Sequence, residues 1–185
     1  MSQSIDDRTV TGVYQLDPSH SRLGFVARHA LVTKVRGQFT RFEGTLRLDA
    51  DDPTRSTAEV RIEAASITTG DENRDGHLRS PEFFDVDQYP ELAFTSTGVE
   101  VVGDNRFAMT GDLTIKGVPR PVTLHLEHTG SAVDPFGNHR AGFEGSAEIN
   151  RKDWGLTWNA PLEAGGFLVS DKIRLELDVS AIRSS

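Results

Sequence analysis

The chain has 185 residues, enough for one domain with a sizeable core, and its formal net charge of -8, from 28 acidic and 20 basic side chains, argues against a nucleic-acid partner, which needs clustered Lys and Arg to displace counterions. With no cysteine, disulfides, thiolate metal sites and cysteine nucleophiles are excluded together. No apolar run approaches the ~20 residues of a membrane-crossing helix, so no transmembrane segment is expected.

The opening Met1-Ser2-Gln3-Ser4-Ile5-Asp6-Asp7-Arg8 has neither a basic n-region nor an apolar h-region, so a cytoplasmic location is expected. Residues 1–12 are expected to be a flexible segment and 13–185 a single domain. From Arg22 onward, hydrophobic residues recur at every second position, the period of a half-buried strand. Over 22–29, Leu23, Phe25 and Ala27 share one face. Over 36–49, Phe39 is in phase with Gly37, whereas Phe42, Gly44, Leu46 and Leu48 follow the opposite parity, which predicts a bulge near Thr40 and Arg41. Residues 57–67 alternate Val60, Ile62 and Ala64 against Glu59, Arg61 and Glu63.

The stretch 71–88 breaks the alternation and predicts a short helix over 73–79 with a turn near 81–84. Strands resume over 92–97, then with Phe107, Met109, Gly111, Leu113 and Ile115, then with Val122, Leu124 and Leu126. The last two form a hairpin through Gly117-Val118-Pro119. Ala141, Phe143, Ala147 and Ile149 mark a further strand, and Ile173, Leu175, Leu177 and Val179 the final one. About eight strands with short connections and one helical insertion define an all-β chain, a single antiparallel β-barrel with room for one small ligand.

The inward set mixes Gly37, Gly44, Gly111, Gly145 and several alanines with Phe25, Phe39, Phe94 and Phe143. Small inward residues are expected to leave a void that an apolar tail fills. The bland reading is that the glycines relieve strand bending in a solid barrel. From pattern alone the two weigh equally.

Catalysis and metal binding find little support. His20 belongs to Asp17-Pro18-Ser19-His20-Ser21, where a turn explains the residues better than a triad. His125 and His128 fall on opposite faces of a regular strand and make poor joint ligands. The cluster Arg74-Asp75-Gly76-His77-Leu78-Arg79-Ser80 is the densest charged segment. Its favoured reading is that Arg74 and Asp75 pin the insertion through buried polar bonds while Arg79 is solvated. No metal site and no catalytic residue is expected.

The string from Arg74 to Asp85, followed by Tyr89-Pro90 and Phe94, resembles the signature of the YceI-like family of polyisoprenoid-binding, lipocalin-like proteins. Asp17-Pro18-Ser19-His20-Ser21, Val35-Arg36-Gly37-Gln38-Phe39, the run from Gly111 to Gly117, Gly142-Phe143 and the run from Arg151 to Leu156 are similar to it in the same order. The resemblance implies an extended lipocalin-like barrel that takes an isoprenoid quinone, a polyprenyl phosphate or a similar amphiphile, requires no other cofactor, performs no catalysis and forms a homodimer. Matching positions that face inward by parity are Phe25, Phe39, Phe42, Phe94, Leu113 and Phe143, expected to line the pore. His29, Arg74, His77, Trp154 and Trp158 are expected at the mouth or against a head group. Two rivals belong to other classes: an enzyme acting on a lipid head group through His20, His29 or the 74–79 cluster, and an interaction module with a filled barrel.

Overall fold

A computed structural model describes residues 10–30, 32–160, 162 and 169–184. Among the described residues eleven strands form one antiparallel sheet: β1 (Gly12–Leu16), β2 (Arg22–His29), β3 (Thr33–Phe39), β4 (Phe42–Leu48), β5 (Thr57–Glu63), β6 (Ile67–Thr68), β7 (Glu91–Gly103), β8 (Arg106–Ile115), β9 (Val118–Val133), β10 (His139–Asn150) and β11 (Lys172–Arg183). An α-helix of two turns, α1 (Glu72–Arg79), lies between β6 and β7.

Six of these strands are halves of three long ones. β1 and β2 run end to end along β11, pairing through Leu16↔Ala181 and Leu23↔Leu177. Their neighbours β4 and β3 break between Phe39 and Phe42, and β5 and β6 break at the turn Ala64–Ser66. Counted this way the sheet has eight positions, and the β1–β11 pairing closes it into an up-and-down barrel.

The parity slip expected at Thr40 and Arg41 is a two-residue interruption rather than a one-residue bulge. The Ser66 hydroxyl repairs it, accepting from the Thr40 and Arg41 amides at 3.2 and 3.1 Å and donating to the Glu63 carbonyl at 2.7 Å. One hydroxyl therefore satisfies the backbone groups freed by two adjacent breaks. The β8–β9 turn falls at Lys116–Gly117, one residue before the expected position. Both residues adopt positive φ, the twist that a two-residue hairpin needs.

Residues 1–9 of the expected flexible segment lie outside the described residues. Residues 10–12 are built into the barrel: Val10 is buried, the Thr11 hydroxyl accepts from the Ala50 amide at 3.0 Å, and Gly12 pairs with Leu48.

The connections divide between the two ends. At one end lie the 104–105 and 134–138 turns and the 49–56 loop; at the other lie the β2–β3 and β8–β9 turns and the described residues 69–90 and 151–160. The first end is closed between β1, β4, β10 and β11 by Tyr14, Leu16, Phe42, Ala141 and Ala181, with Phe143 against them. A larger cluster around Phe39, Ile67, Phe94, Leu113 and Ile115 occupies the rest of the barrel.

Candidate functional site

Inside the barrel, toward the end with the long segments, lies a cavity of ≈ 210 Å³. Its wall draws on β2, β3, β5, β7, β8, β9, β10 and β11, and Leu78, Phe83, Phe84 and Leu156 cap it. Almost no polar atom faces the space. A cavity so lined stays dry, because water there would find no partner for its hydrogen bonds.

Of the residues expected to line the pore, Phe25, Phe39, Phe94 and Leu113 stand in this wall. Phe42 and Phe143 do not; both point inward but belong to the cluster that closes the other end. Phe143 stacks on the buried His128 with ring centroids 5.0 Å apart. Alternation assigns a side chain to a face of the sheet; it says nothing of its height along the barrel axis.

The inward glycines do not create the space. A Cβ on Gly37 would lie 2.3 Å from Cζ of Phe25, and one on Gly111 would lie 2.5 Å from Cζ of Phe94. Gly44 and Gly145 are likewise covered by Leu16 and Leu126. Each glycine is a seat over which a large neighbour lies flat, so the void remains because the rings rest on the wall instead of crossing the axis.

All five residues expected at the mouth belong to the capped end, in different settings. Arg74 donates to the Thr69 hydroxyl at 2.7 Å and the Thr69 carbonyl at 3.0 Å, and the buried Asp75 carboxylate accepts from the amide and hydroxyl of Thr69 at 2.8 and 2.6 Å. The insertion is pinned as expected. Arg79 departs from expectation: it is not solvated but donates to the Ala65 and Ile67 carbonyls at 3.0 and 3.1 Å, groups that the end of the sheet leaves unpaired. His77 hydrogen-bonds Glu82 and meets Trp158 edge-on at 4.5 Å and Phe83 at 5.1 Å. Trp154 is buried, its indole N–H donated to the Leu113 carbonyl at 2.8 Å, so it braces β8 and does not sit at a wet boundary. His29 is exposed, its backbone bridged to Val169 of the wall.

Arg151 escaped the sequence reading. It lies beside the cavity, 3 % exposed, and its guanidinium donates to the carbonyls of Ser170 at 2.9 Å, Leu156 at 2.5 Å and Trp158 at 2.9 Å, with Asp171 at 3.5 Å. Burial pulls its pKa below the usual guanidinium value, and Asp171 offsets part of that pull. Its position at the head of the Arg151-Lys152-Asp153-Trp154-Gly155 string was the available signal, but its partners come from backbone up to 19 residues away.

Catalytic constellations are equally committed elsewhere. Asp17 binds Arg140 and His20, each at 2.8 Å, and the Ser21 hydroxyl donates to the Ser180 carbonyl at 3.1 Å. His125 is exposed and His128 buried, on opposite faces. Among the described residues no group of three or more His, Asp or Glu is arranged to hold a metal, and no helix is long and apolar enough to cross a membrane.

A closed eight-stranded antiparallel barrel around a dry apolar cavity defines a lipocalin-like architecture. The chain belongs to the YceI-like domain family, whose model matches residues 14–181. It is 40% identical over 143 residues to a UPF0312 protein of Photorhabdus laumondii, covering 76% of this chain and 74% of that one. It is 38% identical over 150 residues to Protein YceI of Salmonella newport, covering 80% and 78%. Among solved structures, the Campylobacter jejuni YCEI protein superposes with a TM-score of 0.74 at 29% identity over 85% of this chain and 90% of that one. Burkholderia cenocepacia BcnA reaches 0.79 at 22% identity over 89% and 98%, and a polyisoprenoid binding domain from Saccharophagus degradans 0.67 at 19% over 92% and 98%.

Proposed function

We propose that this protein binds and carries a long-chain apolar ligand, an isoprenoid quinone, a polyprenyl phosphate or a similar amphiphile, with the tail inserted into the barrel and no chemistry done on it. The observation that carries the reading is the dry cavity of ≈ 210 Å³ walled by eight strands. The family and the polyisoprenoid binding neighbour agree with it.

Volume sets how much tail fits. An apolar cavity of about 150 Å³ takes benzene, with six carbons, so this one takes roughly eight or nine. At about 0.8 kcal/mol per buried methylene, that insertion gains roughly 6–7 kcal/mol before the ordering of the tail is subtracted. A longer tail gains more only if the cap of Leu78, Phe83, Phe84 and Leu156 parts to cover it, or if the Phe25 and Phe39 rings turn aside. His77 and Trp158, packed on that cap, then stand where the polar end of the ligand emerges, and His29 and Arg74 flank the same end.

Mass spectrometry of organic extracts from purified protein, together with uptake of a series of chain lengths, tests this. Co-purified lipid and affinity that rises with length up to a plateau are expected, and Ala27→Phe, which fills the cavity from its wall, abolishes uptake in a folded barrel. Extracts repeatedly free of lipid, with no uptake by the wild type, rule the carrier out.

A further inference from the structure

Beside the capped end, the outer face of β11, β2 and β3 carries a concentration of cations at odds with the acidic chain. Arg28 stands directly opposite Lys34, and Arg36 and Arg174 flank Val26 in the next row. Lys172 shares the outward parity of Arg174, and all five cations are exposed. Glu176 pairs with two of them, Arg36 at 3.2 Å and Arg174 at 3.5 Å, and Glu148 of β10 stands opposite Arg174, whereas no ion pair is formed by Arg28 or Lys34 among the described residues.

Like charges placed directly across a strand pair destabilise a sheet, so the Arg28–Lys34 row works against folding. The rest of the surface is correspondingly more acidic, including the neighbouring 69–90 segment, where Asp71, Glu72, Glu82 and Asp87 are exposed, so the positive charge is confined to this one face. At the tip of the β2–β3 hairpin, Val32 is 79 % exposed, and the strand leading to it contributes Phe25 and Ala27 to the cavity wall.

We infer that this cationic apron docks the protein on an anionic lipid surface, with Val32 entering the head-group layer and the capped end of the cavity brought against the bilayer. A planar surface fits where a rod of nucleic acid or a bulky acidic protein does not. Only the near face comes within a Debye length of about 8 Å, so the carboxylates on the far faces of the barrel are screened. The cationic face orients the barrel, and an apolar tail then passes between bilayer and cavity without crossing water. The inference rests on the carrier reading, so docking and ligand uptake are measured separately.

Flotation with vesicles of phosphatidylcholine alone and with about a third phosphatidylglycerol reads docking directly. Binding to the anionic vesicles alone is expected, lost at about 0.5 M salt and weakened at least about tenfold by Arg28→Gln/Lys34→Gln/Arg36→Gln. That variant melts no lower than wild type, because it relieves the opposed charges. A control of equal charge change on other faces, Arg47→Gln/Arg61→Gln/Arg106→Gln, keeps its binding. Absence of binding to anionic vesicles, or equal weakening by the two triple variants, overturns the inference. Uptake of a soluble short-chain ligand, measured without vesicles, then decides the carrier reading on its own.

Discussion

Gly37 and Phe25 face each other across β2 and β3, and the missing side chain of one is the space occupied by the ring of the other. Gly37→Ala drives a methyl into that ring, which then has to tilt into the cavity. The substitution is expected to destabilise by about 1–3 kcal/mol in denaturant unfolding and to reduce tail uptake together with stability. Gly76, in the middle of α1 with nothing within 4 Å of an added Cβ, is the contrast. Gly76→Ala is expected to stabilise by about 0.5–1 kcal/mol through helix propensity alone and to leave binding unchanged. Parity exposed both the inward glycines and their aromatic neighbours. The reading that small inward residues leave room, weighed evenly against a filled barrel, holds for Ala27 in the cavity wall but not for Gly37, Gly44, Gly111 and Gly145, because a residue's own volume does not reveal whether a cross-strand partner lies over it.

At the scale of elements, α1 is a helix that its own sequence does not sustain. Eight residues with a central glycine fall short of the length at which an isolated helix holds in water. It persists through the Asp71 side chain, which caps the Asn73 and Arg74 amides, and through the bonds of Arg74, Asp75 and Arg79 to 65–69. Asp75→Ala leaves the Thr69 amide and hydroxyl without their acceptor and is expected to cost about 1–3 kcal/mol. Hydrogen exchange across 72–79 should rise first, with faster ligand release, since Leu78 of this helix helps cap the cavity. Most strands were legible because one wet and one dry face force alternation, as in β5 and β8. Two extensions were not. β7 runs on to Gly103 past register shifts at Ser96/Gly98 and Val101/Gly103, which reset the parity, and β9 runs on to Val133, where it pairs with β10 but reaches past the end of β8 and has little burial to impose a pattern. β1 was missed because its alternation of Tyr14 and Leu16 spans only five residues.

Across the whole molecule, the barrel closes on a short pairing: β1 meets β11 at three register positions, whereas β10 meets β11 at eleven. Arg140 reinforces that region, binding Asp17 between β1 and β2 at 2.8 Å, Asp134 in the β9–β10 turn at 2.8 Å, and the Ser180 hydroxyl of β11 at 3.2 Å. Its hydrogen bonds are the main reason that the Asp17 carboxyl is held well below the ordinary range and that of Asp134 at about 2. A carboxylate whose pKa is depressed on folding stabilises the native state above its unfolded value near 3.9, and that contribution drains away as pH falls through the folded value. Asp17→Asn should therefore melt lower than wild type at pH 7, with the gap narrowing from about pH 4 down through pH 2. A gap that stays constant across that range would mean that the ion pairs do not brace the seam. The residues alone determined an all-β barrel, its helical insertion and which side chains turn inward, because alternation, turn chemistry and charge are local and each is written within a few positions. Where each inward side chain stands along the axis, whether the glycines open or fill the interior, and how Arg151 and Arg140 tie remote backbone together were decided only on closure. Those outcomes depend on strand breaks and contacts between residues far apart in the chain, and no short window of sequence contains both partners.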